Sequence, residues 1–150
     1  MTAPKGEQIC IFCVAAENRD HESTLTLKVT DEVIVMLNRY PYSNGHLMVA
    51  PVEHVARLFD TTQDTLYSLI RWTAEAQRVL SDVYSADGFN IGMNLGRAAG
   101  AGFADHCHMH IVPRWEGDSN FMSVTGSTRL VPEDLESTWK KLRPRFEEIG

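Results

Sequence analysis

The chain contains no apolar stretch approaching the ~18 residues that a membrane-spanning helix needs, and its first residues, MTAPKGEQ, lack the apolar segment of a secretory signal. Both absences point to a cytoplasmic protein. Cysteine is scarce. Three residues, Cys10, Cys13 and Cys107, in a compartment that keeps thiols reduced, are poor material for a disulfide framework, so a metal or a buried thiol is the expected use. Positive charge is in deficit as well: 14 Lys and Arg against 20 Asp and Glu leave a formal charge of -6. That balance argues against a general nucleic-acid binder, which would need surplus cations to neutralise phosphates. Any phosphate bound here must be held by local groups. Internal repeats are absent, and 150 residues are enough for one core and few for two, so a single domain over 1–150 is expected.

Histidine is sparse too, but unevenly placed. Of six in the chain, three fall within five positions, as His106, His108 and His110 of Asp105-His106-Cys107-His108-Met109-His110-Ile111-Val112-Pro113. Alternation is the side-chain period of an extended strand, whereas residues two apart on a helix diverge. Ile111-Val112 and a stop at Pro113 favour the strand. It would set three imidazoles in a row, ~6.5–7 Å apart, with Cys107, Met109 and Ile111 facing a core. A solvated strand face that happens to carry histidine is the plainer alternative. Imidazoles so close cannot all be protonated cheaply and should titrate as a coupled set. That helps keep His108 neutral near pH 7, the state in which an imidazole can act as a nucleophile.

Around this stretch the chain alternates in period. Residues 1–7 are polar and expected to be disordered. Cys10-Ile11-Phe12-Cys13 offers two thiolates to one tetrahedral zinc ion, although the motif alone also suits two buried thiols or a redox pair. Residues 14–23 read as a loop or a ragged turn. Thr24–Val29 and Val33–Leu37 read as a hairpin across Thr30-Asp31-Glu32, and His46–Ala50 resumes the sheet after a turn-rich break. From Asp60 to about Ser85, Leu66, Leu69, Ile70, Ala76, Val79, Leu80 and Val83 recur at threes and fours. They predict an amphipathic helix started by Asp60-Thr61-Thr62-Gln63, with Trp72 as packing, covering the sheet face toward which Cys107 and Met109 point. Gly88–Leu95 reads as a further strand. Gly96–Gly102 then leaves backbone N–H groups free to meet an anion, with Arg97 adding charge, and is equally a glycine-rich hairpin loop. Pro132–Glu148 predicts a charged final helix, part of a 132–150 extension, interrupted near Pro144. The fold class is α+β: an antiparallel sheet of about five strands, a long helix on one face and a C-terminal helix.

HCHMHIV fits His-x-His-x-His followed by two apolar residues, and so resembles the signature of the histidine triad nucleotide hydrolases and transferases. NRYPYSNGHLMVAP, GFNIGMNLGRAAGAG and HMHIVPRWEGDSNF resemble blocks of bacterial triad proteins and of the fragile-histidine-triad diadenosine polyphosphate hydrolases. The resemblance spans roughly residues 8 to 125. It implies a role for His108 as nucleophile toward a nucleotide α-phosphate, its tautomer fixed by a main-chain carbonyl. It also implies His110 on the phosphate oxygens or the leaving-group proton, and His46 orienting it. Asn38 would bind ribose, Asn94 would lie near the scissile bond, and Gly100 and Gly102 would lie by the phosphates. His106 would contact the phosphate environment unless a metal claims it. The zinc-binding members imply a structural zinc on Cys10, Cys13, His54 and His106, pinning the N-terminal segment to the catalytic strand. Read alone, Asn38 is equally a strand-end cap, His46 a core-edge histidine and His54 a solvated loop residue.

The activity implied is hydrolysis or phosphorolysis of a dinucleoside polyphosphate such as diadenosine tetraphosphate, with AMP as the nucleotidyl unit. An adenosine phosphoramidase, or a nucleotide-binding protein with little turnover, are the alternatives. A homodimer is implied too. His110 stands where the uridylyltransferase branch has Gln. Where relatives carry Gln or Ser close to the leaving group, this chain has Ala101 or Gly102, a departure that bears on the leaving-group contacts and on the preferred substrate.

Overall fold

The computed structural model describes residues 9–118 and 131–150. The expected disorder of 1–7 and the Ser119-Asn120-Phe121 end of the last resembling block lie outside the described residues. Five strands form one antiparallel sheet: β1 (Thr26–Val29), β2 (Val33–Leu37), β3 (Leu47–Pro51), β4 (Gly88–Gly92) and β5 (Met109–Arg114), in the order β1-β2-β3-β5-β4. The helices are α1 (Ile11–Glu17), α2 (His21–Thr24), α3 (Gln63–Tyr84) and α4 (Leu135–Glu147).

All of β2 and β3 is buried, but their residues sort by parity. Val33, Val35, Leu37, Leu47 and Val49 join Leu69, Trp72, Ala76 and Leu80 of α3 and Leu142 and Phe146 of α4. Ile34, Met36, Met48 and Ala50 join Phe12 and Ala15 of α1. The sheet is therefore covered on both faces, and the strand period survives as a choice between two cores.

α3 begins at its Thr62 cap, whose side chain accepts from the Thr65 amide at 3.1 Å. Met109 packs on the α3 side as expected, while Ile70 does not join that core and is 63% exposed. Of residues 14–23, expected as a loop or ragged turn, 14–17 belong to α1 and 21–23 to the single turn of α2, with only 18–20 irregular between them. α1 forms because the Cys10 side chain accepts from the Cys13 amide at the first turn, and Phe12 and Ala15, three apart, bury against the sheet. One buried pair in seven residues is too short a pattern to announce itself. Pro144 does not interrupt α4. Its missing N–H takes one helical donor from the Lys140 carbonyl, and buried Leu142 and Phe146 on either side hold the turn in place.

The triad segment departs from expectation at both ends. β5 starts at Met109, so His106 and His108 precede the ladder. His106 lies in a bend, and the Cys107 amide between the two histidines donates to the Val55 carbonyl at 2.8 Å. Pro113 does not stop the strand, because β3 pairs with β5 only as far as Ile111 while β4 continues alongside Pro113 and Arg114. The missing N–H costs no bond to β3. No helix among the described residues is long and apolar enough to cross a membrane.

Candidate active site

His108 is half-buried, with its ring against Phe12 at 4.7 Å between centroids. Its Nδ1 lies 2.9 Å from the His106 carbonyl oxygen. A carbonyl can only accept, so Nδ1 carries the hydrogen and Nε2 keeps a free lone pair. Burial holds His108 below the usual imidazole range, against a smaller pull upward from that carbonyl. The ring meets His110 edge-on at 4.8 Å, closer than an even row along a ladder would allow, because His108 lies before the strand proper.

A second chain of hydrogen bonds fixes His110. The Tyr42 amide donates to Nδ1 of His46 at 3.1 Å, so the His46 proton must be on Nε2. That nitrogen lies 3.0 Å from Nδ1 of His110, which accepts and is left with its own proton on Nε2. Gly45 makes this arrangement possible from the turn, since at φ +83° a Cβ there would stand 2.9 Å from Leu80 Cδ2. His46 is fully buried, and its pKa is pushed down to about 4 by that burial first and then by His110 and His108. An unfolded histidine near 6.5 takes up a proton that the folded one refuses, so stability contributed by this group is present above pH 6.5 and lost as pH falls toward 4. Urea unfolding at pH 7 and pH 5 should show this loss in the wild type. His46→Gln should flatten it, because the substitution removes the titrating group itself. An equal loss in both proteins would refute the assignment.

These side chains open on a cavity of about 800 Å³, lined by His108, His110, Asn38, Asn94, Gly100 and Gly102 and walled by Phe12, Leu25, Met36 and Met48. All the nucleotide-binding residues expected from the sequence converge there except His106, which is completely buried and does not reach the cavity. Asn38 satisfies both readings of it: Oδ1 accepts from the Tyr40 amide at 2.8 Å as a cap, and the side chain still lines the cavity. Arg97 does not line it. Arg39, which the sequence reading passed over, does, and no Asp or Glu is among the lining residues described. A cavity with one fixed cation and no carboxylate suits an anionic ligand despite the net negative chain. Arg39 directly follows Asn38 at the end of β2, and that adjacency was the available signal.

Apart from His108 and His110, Cys10, Cys13, His54 and His106 bring four candidate ligand atoms within 4.8 Å of one another. Nδ1 of His106 is 3.3 Å from Cys10 Sγ, 3.8 Å from Cys13 Sγ and 3.2 Å from Nδ1 of His54, and that nitrogen is 3.3 Å from Cys13 Sγ. Tetrahedral bonds of zinc to sulfur and nitrogen imply ligand separations of about 3.3–3.8 Å, so the donor set fits. Nε2 of His106 donates to the Pro51 carbonyl at 2.7 Å, which turns Nδ1 toward the thiols, as an outer-shell bond to a metal-binding imidazole does.

The HIT domain family model matches residues 19–117. AP-4-A phosphorylase of Mycobacterium tuberculosis is 44% identical over 110 residues, covering 73% of this chain and 56% of that protein, so the chain spans just over half the length of that relative. An HIT-like protein of Methanocaldococcus jannaschii is 32% identical over 136 residues, 90% of this chain and 99% of its own. Among solved structures, a zinc-bound histidine triad family protein from Mycobacterium smegmatis superposes with a TM-score of 0.71 at 27% identity, covering 94% of this chain and 95% of that one.

Proposed function

The chain belongs to the histidine triad (HIT) family, and from that membership we propose that it transfers a nucleotidyl group from a dinucleoside polyphosphate, through His108, to phosphate or water. One observation carries the reading: a lone pair left on Nε2 of His108 by the His106 carbonyl, at the wall of a cavity with no carboxylate among its described lining residues. Nε2 attacks the α-phosphorus. The bond to the bridging oxygen breaks, the electron pair leaves on the polyphosphate, and the positive charge gained by the imidazole is stabilised through Nδ1–H by the His106 carbonyl. His110 donates its Nε2–H to the departing oxygen as a hydrogen bond. The acceptor then attacks from the opposite side, and the P–N pair returns to Nε2.

The tautomers favour particular partners for these steps. Neither His46 nor His110 holds a spare proton, which suits a polyphosphate, able to depart as an anion, better than the amine of a phosphoramidate. Neither is arranged as a base for the incoming group, which suits phosphate, already anionic, better than water. The relative at 44% identity carries the name AP-4-A phosphorylase, which supports the same choice, with an adenine nucleotide as the transferred unit. Diadenosine tetraphosphate should give ADP plus ATP only when phosphate is supplied. AMP plus ATP would make the chain a hydrolase, and no nucleotide product at all would sink the reading in favour of a binding protein.

Zinc is proposed on Cys10, Cys13, His54 and His106. With four protein ligands it has no open position for water, so it supplies no step and serves as a clamp. A reducing cytoplasm would keep the two thiols available to it. A homodimer is the proposed assembly, with edge strand β4, exposed at Asn90, Ile91 and Gly92, as the surface left for a second copy.

A further inference from the structure

Large apolar side chains exposed singly are ordinary on a protein surface, and Phe59 and Tyr67, 79% and 73% exposed, are of that kind, since neither borders the cavity. Tyr40 and Tyr42 differ. They are 82% and 85% exposed, stand two apart in the segment between β2 and β3, and both line the cavity that holds His108 and His110. Tyr42 is stacked on His46 at 5.3 Å with the ring planes 16° apart, and His46 lies 5.1 Å from His110. Two ring-to-ring steps thus lead outward from the group that meets the departing oxygen to an aromatic face in solvent. Arg39 borders the same rim, exposed and making one bond to the Ser23 carbonyl at 3.2 Å.

In an in-line displacement the departing oxygen is opposite the attacking nitrogen, so the leaving chain runs away from His108. On the glycine-rich side of the site, Ala101 and Gly102 offer it no polar side chain. We propose that Tyr40 and Tyr42 form the subsite for the base of the leaving nucleoside, with Arg39 along its phosphates, so that this rim is what distinguishes a dinucleoside from a mononucleoside polyphosphate. The inference rests on the nucleotidyl-transfer reading above and deepens it. A flat aromatic face accepts any base, so the subsite selects for a second nucleoside without dictating which one.

The test compares diadenosine tetraphosphate with adenosine 5′-tetraphosphate, which keeps the same phosphate chain and lacks only the second nucleoside. In Tyr40→Ala, Tyr42→Ala and the double variant, kcat/KM for the dinucleotide should fall about tenfold to a hundredfold, the range of one base–aromatic stack. The fall on the mononucleotide should be at least tenfold smaller, and Tyr→Phe at both positions should restore the preference. Equal losses on the two substrates, or a dinucleotide rate unmoved in all variants, overturn the subsite while leaving nucleotidyl transfer intact. A wild-type protein that cleaves the mononucleotide and ignores the dinucleotide, or cleaves neither, overturns the subsite together with the reading beneath it.

Discussion

His108→Ala should lower turnover of diadenosine tetraphosphate by about four orders of magnitude or more, worth about 5.5 kcal/mol of barrier. The size follows from what is removed. The other rings do not present a substitute lone pair: Nδ1 of His110 is occupied by His46, its Nε2 carries hydrogen, and His106 is sealed from the cavity with Nε2 on Pro51. Loss of the nucleophile therefore leaves only binding and the hydrogen bond from His110. The fold should tolerate the change, because His108 belongs to neither buried cluster. Rapid quenching with labelled nucleotide should mark position 108 in the wild type. A variant with near-normal turnover, or brisk wild-type turnover that never labels residue 108, would end the covalent scheme.

The second large effect concerns the Cys/His cluster. Protein from metal-replete growth should hold about one zinc per chain, and removing it, or substituting Cys13→Ser, should cost about 4–5 kcal/mol of stability, the scale of a cross-link that closes a loop of about 100 residues. Cys10 and His106 are 96 positions apart, and zinc would join them. At roughly 2–4 °C per kcal/mol for a chain of this size, the melting temperature should drop by about 10 °C or more. Burial first, and then the Cys10 thiol beside it, push the Cys13 thiol up to about 11, so apo protein should keep that proton and the metal must displace it. The same treatment should slow the reaction, since the carbonyl that fixes His108 belongs to His106, a candidate ligand. Clearly less than one zinc per chain, or a melting curve indifferent to a strong chelator, would refute the clamp.

Much of this arrangement was legible because it follows local rules. α3 declares itself by spacing over six turns, and β2 and β3 by apolar runs between turn residues. The four candidate metal ligands and the candidate catalytic histidines were placed by motif and resemblance, and the folded chain brings each set together. What stayed hidden depends on neighbours. β5 starts at Met109, opposite Val49, although β3 runs on to Pro51, so the histidine alternation does not mark its first residue. Passage through Pro113 depends on which edge is unpaired there. α1 depends on a sheet face waiting for Phe12 and Ala15. Arg39, Tyr40 and Tyr42 look like turn residues until the cavity beside them is closed by α1 and the Gly100–Gly102 loop.

The donor that settles the proton on His46 is an amide of the main chain, which every residue except proline possesses. Position 42 can therefore drift among side chains without disturbing the chemistry downstream of it. A substitution there other than by proline would leave the His46 tautomer set while changing the aromatic face that borders the cavity.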